Sequence, residues 1–423
     1  MNPEFKTLDW ARASNIYEIN VRQYTVEGTF KAFARHLPRL KDMGIEILWF
    51  MPIYPIGEVK RIASLGSYYS IKDYKAINPE FGNLDDFKDI VHTAHEMGFK
   101  VIIDWVANHT AWDHVWTQDH KNYYELDSNG NFRSPYDWDD VIQINHNSTT
   151  QQDAMIDAMK FWIQQCDIDG FRCDMAHLIP LSFWQRARKE LDELKKLFWL
   201  AETEDVIYHE VFDASYTWEF LHKMEQYSRR ETDSVGLDQV LSRYKNDFPP
   251  DALRTFFTSN HDENSHSGSE YERMGDAARV FAVLCATWNG IPLIYSGQEL
   301  PNRKRLKFFD KDTIEWQDNC ALHEFYKTLL NLHSSNPALR AGDNTVSSIR
   351  LEATDSHIFS FIRKSGNNEV LVILNLSPGW ASFSITDENV SGHYLDIFSG
   401  NIESLNTNTV FHLSEWDYKV FKK

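Results

Sequence analysis

Short apolar runs alternate with helical patterns over most of this chain, and that alternation constrains the fold more than any other feature. The runs cover residues 16–24, 47–53, 100–108, 170–175, 198–203, 214–218, 253–259 and 291–297. Helical patterns lie between them, and two of these patterns end at Gly44 and Gly98, the usual residue after a helix. Continuous apolar runs are typical of parallel strands that are covered on both faces. Eight such units predict an α/β fold, a (β/α)8 TIM barrel, with its chemistry at the carboxyl ends of the strands.

The pattern changes after Pro337, where alternating strands replace the strand and helix repeats. These strands cover 347–351, 357–363, 370–376, 393–396 and 411–420, with turn residues between them. We therefore predict a catalytic barrel over residues 1–340 and a small antiparallel, β-sandwich-like domain over 341–423. Residues 110–149 have no helical period and are too long a segment for an ordinary loop. We therefore predict that they leave the barrel after the third strand as a reduced excursion, called the excursion below.

Composition excludes several kinds of partner. The chain has 43 Lys and Arg against 62 Asp and Glu, a net charge of −19, which repels phosphate backbones and anionic membrane surfaces. No apolar stretch is long enough for a membrane span, and the four cysteines lack paired or zinc-like spacing, which indicates reduced thiols. We expect no nucleic-acid or membrane partner. We expect a cytoplasmic location for the chain as written, and a periplasmic or secreted one if a signal peptide was removed.

Polar clusters follow four of the apolar runs, at the place where a barrel keeps its chemistry. They span 104–109, 170–174, 199–202 and 260–262. Any single acid among them could be a solvated loop carboxylate or a helix cap, and Arg172 and Asp174 could be a same-face ion pair. Four clusters at four strand ends favour a site instead. Apolar neighbours would keep one carboxyl protonated while another stays ionised, as glycoside cleavage requires.

The same clusters resemble, in order, the signature stretches of the α-amylase family of retaining glycoside hydrolases, glycoside hydrolase family 13. The matching stretches are Asp104-Trp-Val-Ala-Asn-His109, Gly170-Phe-Arg-Cys-Asp174, Ala201-Glu202 and Asn260-His261-Asp262, with further matches at 69–74, 77–82 and 294–299. The resemblance covers residues 16–340. It implies a glycoside hydrolase that forms a covalent glycosyl-enzyme.

The resemblance also implies roles for single residues. Asp174 would be the nucleophile, Glu202 the general acid and base, and Asp262 the carboxylate that binds the distorted sugar. His109 and His261 would bond that sugar, Tyr69 would be its aromatic platform and Asp104 a supporting carboxylate. Arg172, two residues before Asp174 on one strand, would keep that acid ionised. Retention further predicts a separation of about 5–5.5 Å between the carboxyl groups of Asp174 and Glu202.

The chain differs from the family's pattern in two places, one on the leaving-group side of the site and one at the calcium-binding positions. The family often has Lys-His where this chain has His177 and Leu178, so we assign the leaving-group side to His177. Asn108 matches a calcium-binding position, but the excursion is short and no regularly spaced oxygen loop is visible. We expect no cofactor for the chemistry, assign no metal ligand and leave a structural calcium open.

These observations predict a retaining hydrolase of α-1,4-linked glucans, with starch fragments or maltooligosaccharides as substrate. A transglycosylase would use the same residues, and an inactive carbohydrate-binding homologue is a third alternative. The sequence leaves open endo or exo action, the acceptance of α-1,6 linkages and the oligomeric state.

Overall fold

The computed structural model describes residues 5–423 and has a closed barrel of eight parallel strands at its centre. The strands before residue 296 are β1 (Ile16–Ile19), β2 (Ile47–Phe50), β3 (Lys100–Trp105), β4 (His109–Ala111), β5 (Val141–Gln143), β6 (Gly170–Cys173), β7 (Phe198–Ala201), β8 (Ala214–Tyr216), β9 (Leu253–Phe256) and β10 (Ile291–Tyr295). The barrel order is β1, β2, β3, β6, β7, β8, β9, β10, and β10 pairs with β1 to close it. The predicted barrel is confirmed, and each of the eight strands lies within one of the apolar runs.

Helices surround the barrel in the order in which the chain leaves each strand. They are α1 (Val21–Tyr24), α2 (Phe30–Ala34), α3 (Leu37–Asp42), α4 (Leu84–Glu96), α5 (Thr149–Cys166), α6 (Leu181–Asp192), α7 (Trp218–Ser228), α8 (Ser234–Asp247), α9 (Glu270–Met274), α10 (Ala277–Thr287) and α11 (His323–Ser335). The helical pattern that ends at Gly44 covers residues 30–43 and is divided between α2 and α3. The reason is Pro38 in the first turn of α3, which cannot donate a backbone hydrogen bond to continue α2. Helix α4 begins at a capping box formed by Asn83 and Asp86.

Close contact between two strands at the site depends on a glycine. A Cβ atom at Gly170 would lie 2.0 Å from the carbonyl oxygen of Phe198 on the neighbouring strand. Any side chain here would push β6 away from β7. The glycine therefore sets the spacing of the two strands whose ends carry Asp174 and Glu202.

The excursion after β3 forms a small unit of its own. Strands β4 and β5 pair antiparallel, with His109 opposite Gln143. The backbone N–H of Ile144 donates to the carbonyl of Asn108, so the end of the excursion is joined to its beginning. The excursion is thereby held against the carboxyl end of β3.

The C-terminal region is an antiparallel β structure, as predicted. Its strands are β11 (Ser347–Leu351), β12 (Ile358–Ser365), β13 (Asn368–Asn375), β14 (Ala381–Ser384), β15 (Gly392–Asp396), β16 (Ile402–Leu405), β17 (Val410–Leu413) and β18 (Tyr418–Lys422). Six strands form one sheet, and β14 and β17 form a second one. One face of the larger sheet packs on the barrel, where Phe361 meets Trp288 edge-on at 4.8 Å. A separate apolar core on the other face includes Phe383 and Phe411.

The prediction of one strand over 411–420 is wrong. Trp416 has a φ of 50°, in the left-handed region, and the turn around it separates β17 from β18. The short strands β14 and β16 were not predicted, because four residues carry too little alternation to be recognised.

Within residues 5–423, every helix is too short or too polar to cross a bilayer. The four cysteines are free and buried, which confirms the prediction of unpaired thiols.

Candidate active site

The barrel brings most of the predicted site residues together at the carboxyl ends of its strands. Asp104 on β3 lies opposite Arg172 on β6. Cys173 lies opposite Ala201, so the next residues, Asp174 and Glu202, follow adjacent strand ends. Tyr69, His261 and Asp262 reach the same cluster from the loops after β2 and β9. A cluster predicted from four separate stretches is therefore one site.

Arg172 lies at the centre of this site and is fully buried. Its Nη1 atom donates to Oδ1 of Asp104 and to Oδ1 of Asp174, both at 3.0 Å. Its Nη2 atom lies 2.9 Å from Oε2 of Glu202, an ion pair without the geometry of a directed hydrogen bond. Its Nε atom donates to the hydroxyl of Tyr216 at 3.2 Å. One planar guanidinium thus contacts three carboxyl groups and a hydroxyl through three separate nitrogens, a spread that an ammonium lacks because its donors share one atom.

Glu202 is further oriented by the backbone. Its Oε2 atom accepts a hydrogen bond from the N–H of Met175 at 2.8 Å, and Met175 has a φ of 42° that turns the chain after Asp174. Both contacts of Glu202 use Oε2. The proton of a neutral Glu202 is therefore best carried on Oε1.

Burial and neighbouring charges separate the pKa values of the three acids. Burial raises the pKa of Glu202 to about 7, and Arg172 limits the rise. Burial likewise raises the pKa of Asp174 to about 6 against the opposing effect of Arg172. Burial also opposes the charge on Asp262, but His261 outweighs it and lowers the pKa of Asp262 to about 2. Near neutral pH one acid can donate a proton while the other two are mainly ionised.

His261 is the second polar centre of the site. Its Nε2 atom lies 2.7 Å from the hydroxyl of Tyr69 and 3.3 Å from Oδ2 of Asp262. The ring of Tyr69 stacks on the imidazole with centroids 5.4 Å apart, and the Tyr69 hydroxyl donates to Asp104 at 3.1 Å. Tyr69 therefore links His261 to the group around Arg172.

His109 is buried at the start of the excursion. Burial lowers the pKa of His109 to about 4, so the ring is neutral at physiological pH. The Nδ2 atom of Asn108 lies 3.2 Å from Nδ1 of His109, an arrangement in which Nδ1 accepts and Nε2 carries the ring proton. Trp138 stands edge-on to the His109 ring at 5.4 Å, and Tyr136 continues this aromatic rim towards solvent. These side chains form an aromatic rim on the excursion that is partly open to solvent.

His177 does not join the buried cluster. Its side chain is exposed, and its backbone carbonyl accepts a hydrogen bond from Tyr208 at 3.1 Å. The leaving-group role of His177 stays a prediction.

The sequence analysis missed the partners that support these groups. Glu18 on β1 contacts His261, Tyr216 on β8 contacts Arg172, and Trp49 on β2 lies 5.0 Å beneath the guanidinium. The signal for Glu18 was present, because a single acid inside the apolar run of β1 would be buried. The two aromatic residues could not be told from ordinary core residues.

Asn108, the residue that matches a calcium-binding position, has its oxygens engaged by another side chain. The Nε2 atom of Gln143 donates to the carbonyl and to Oδ1 of Asn108, each at 3.0 Å, and lies 3.3 Å from the carbonyl of Ile144. Amide hydrogens thus occupy the oxygens that a calcium ion would use. Among residues 5–423, the one grouping with metal-like spacing is Asp42, His323 and Glu324, on the outer helices, where Asp42 already binds Lys327.

Known proteins resemble this chain over most of its length. The family model of the alpha amylase catalytic domain matches residues 9–142 and 135–342. An α-amylase of Haloarcula japonica is 27% identical over 386 residues, which cover 86% of this chain and 56% of the relative. A cyclomaltodextrin glucanotransferase of a Bacillus species is 27% identical over 427 residues, 88% of this chain and 57% of the relative. The chain thus spans little more than half the length of these two curated relatives.

One solved structure resembles the chain from end to end. The crystal structure of an α-amylase from Lactobacillus plantarum superposes with a TM-score of 0.89 at 28% identity. The match covers 98% of this chain and 100% of that one. It therefore includes the C-terminal β structure as well as the barrel.

Proposed function

Because this chain belongs to the α-amylase family, we propose that it is a retaining glycoside hydrolase that cleaves α-1,4-glucosidic bonds of starch fragments or maltooligosaccharides. The observation that carries the proposal is the placing of Asp174 and Glu202, whose pKa values are raised, around Arg172, close to Asp262, whose pKa is lowered by His261. A protonated acid beside an ionised one is what glycoside cleavage needs.

In the first step, Glu202 gives its proton to the glycosidic oxygen while Asp174 attacks the anomeric carbon. The bond to the leaving sugar breaks, and an ester joins Asp174 to the glycosyl group. Asp262 stays ionised and opposes the positive charge that develops on the sugar ring. His109 and His261 bond the same sugar, and Tyr69 stacks beneath it.

In the second step, Glu202 takes a proton from water as the water oxygen attacks the anomeric carbon. The ester breaks, Asp174 leaves as a carboxylate, and the product keeps its anomeric configuration. This scheme requires the two carboxyl groups to lie about 5–5.5 Å apart. Their contacts with adjacent nitrogens of one guanidinium support such a short separation.

A transglycosylase is the second candidate, in which a sugar hydroxyl replaces water in the second step. The similarity of this chain to a cyclomaltodextrin glucanotransferase supports transglycosylation as the second candidate. An inactive binding protein is disfavoured, because all three acids are present, with Asp174 and Glu202 held by the buried Arg172 and Asp262 in contact with the buried His261.

Products formed from maltoheptaose distinguish these candidates. We expect shorter maltooligosaccharides with α configuration, from the wild type but not from Asp174→Asn. Asp89→Asn, on the exposed face of α4, is the matched control and should keep full activity. Products longer than the substrate would indicate a transferase. Binding of maltoheptaose without turnover would indicate an inactive homologue, and a first product with β configuration would refute retention.

A further inference from the structure

A buried carboxylate on β1 touches the site but has no part in the chemistry described above. Glu18 is fully buried, and its Oε1 atom lies 2.5 Å from Nδ1 of His261. Its Oε2 atom is also buried and, within residues 5–423, has no hydrogen-bond partner. A carboxylate in the centre of a barrel is costly unless a cation compensates it. The nearest group that can become that cation is His261.

The hydrogen bonds around His261 determine where its protons lie. The hydroxyl of Tyr69 has one proton and donates it to Oδ2 of Asp104, so its oxygen accepts from Nε2 of His261 at 2.7 Å. Oδ2 of Asp262, 3.3 Å from the same nitrogen, is also an acceptor when ionised. Nδ1 faces Glu18, which accepts in its ionised form. Both ring nitrogens therefore face acceptors, and a neutral imidazole has only one N–H.

We propose that Glu18 is a positioning residue that holds His261 as an imidazolium, with Nδ1–H donated to Glu18 and Nε2–H directed at Tyr69 and Asp262. The catalytic consequence of this inference rests on the proposed function. The protonation state of His261 rests on the hydrogen bonds alone. The imidazolium keeps Asp262 ionised and fixes the ring that bonds the sugar.

The charges around the pair are consistent with this assignment. The titratable groups that face His261 and Glu18 come from the barrel strands and the loops that follow them: Tyr69, Asp104, Arg172, Tyr216, Asp262, His266 and Tyr295. Burial by itself favours the neutral ring, but Asp262 and Glu18 outweigh burial and raise the pKa of His261. Arg172 is already engaged by three acids, and the imidazole of His261 is the group in direct contact with Asp262, at 3.3 Å.

Two substitutions separate the charge of Glu18 from its hydrogen bond. Glu18→Gln keeps an acceptor for Nδ1–H in nearly the same volume but removes the charge. Glu18→Ala removes both. Glu46→Gln is the control, because it neutralises a half-buried carboxylate just before β2, at the opposite end of the barrel.

Nitrogen NMR of the protein with labelled histidine reads the protonation state directly. His261→Asn identifies the His261 signals by their loss. In the wild type and in Glu46→Gln we expect both nitrogens to be protonated up to pH 8. In Glu18→Gln we expect the ring to lose its proton at least one pH unit lower than in the wild type. A neutral His261 at pH 6 in the wild type would overturn the proposal, and this result needs no variant and no substrate.

Kinetics on maltoheptaose test the catalytic consequence. We expect Glu18→Gln to lower kcat about fivefold, with KM within about twofold, because a hydrogen bond to a charged group is worth roughly 1 kcal/mol more than a neutral one. The loss should grow as the pH rises, whereas a purely structural role would lower kcat equally at each pH. A pH profile and kcat equal to those of the wild type would refute positioning by Glu18. Absence of activity in the wild type would instead refute the proposed function and leave the NMR result standing.

Discussion

The central guanidinium permits the sharpest test, a change of Arg172 to Lys. A lysine ammonium has its three donors on one atom and lacks the spread of the guanidinium nitrogens, so we expect it to keep one of the contacts with Asp104, Asp174 and Glu202 and to lose the other two. Loss of two contacts at roughly 1.5–3 kcal/mol each predicts a decrease of about 3–6 kcal/mol in the free energy of unfolding. Removal of one partner from a buried ion pair has a similar cost.

The loss of stability in Arg172→Lys should depend on pH. The direction of this dependence follows from the pKa values of the three acids around Arg172. Burial already raises the pKa values of Asp104, Asp174 and Glu202 above those of the unfolded chain, and loss of Arg172 raises them further. A folded state that binds more protons than the unfolded state loses stability as pH rises. The penalty of Arg172→Lys should therefore be smallest near pH 4 and increase through pH 6–7 towards pH 8.

Urea unfolding at pH 5 and pH 8, followed by tryptophan fluorescence, measures both quantities. Arg186→Lys is the matched control, because Arg186 makes partly exposed ion pairs on α6 and should change stability by about 0.5 kcal/mol or less. The reasoning is refuted if Arg172→Lys stays within about 1 kcal/mol of the wild type at pH 8. A penalty that is equal at both pH values would also contradict it.

Three further predictions concern the site and the excursion. The value of kcat/KM should rise with pH as Asp174 ionises near pH 6 and fall as Glu202 loses its proton near pH 7. A measured maximum above pH 8 would contradict this prediction. Dialysis against a chelator should leave Tm unchanged, and a fall in Tm would show that an ion binds. Gln143→Ala should lower the free energy of unfolding by about 1–2 kcal/mol, because the oxygens of Asn108 lose their hydrogen-bond donor. Trp138→Ala should raise KM for maltoheptaose several-fold with little change in kcat, and an unchanged KM would remove Trp138 from the substrate surface.

Much of the fold was predictable, because the signals involved are local. An apolar run covered on both faces and a helix that ends at Gly98 are properties of neighbouring residues, and they led to the barrel. The acids Asp174 and Glu202 were also predictable, since each follows directly from a strand end. The turn at Trp416 was not, because a left-handed φ leaves no periodic signal in the sequence.

Tertiary structure alone decided how these residues act on one another. Glu18 and His261 are 243 positions apart, and only closure of the barrel brings their side chains into contact. The same holds for Gln143, whose amide fills the oxygens of Asn108 because β5 pairs with β4. The sequence by itself determined which chemical groups stand at the strand ends. Protonation states depend on burial and on charges a few ångströms away, so they were determined only when the strands met.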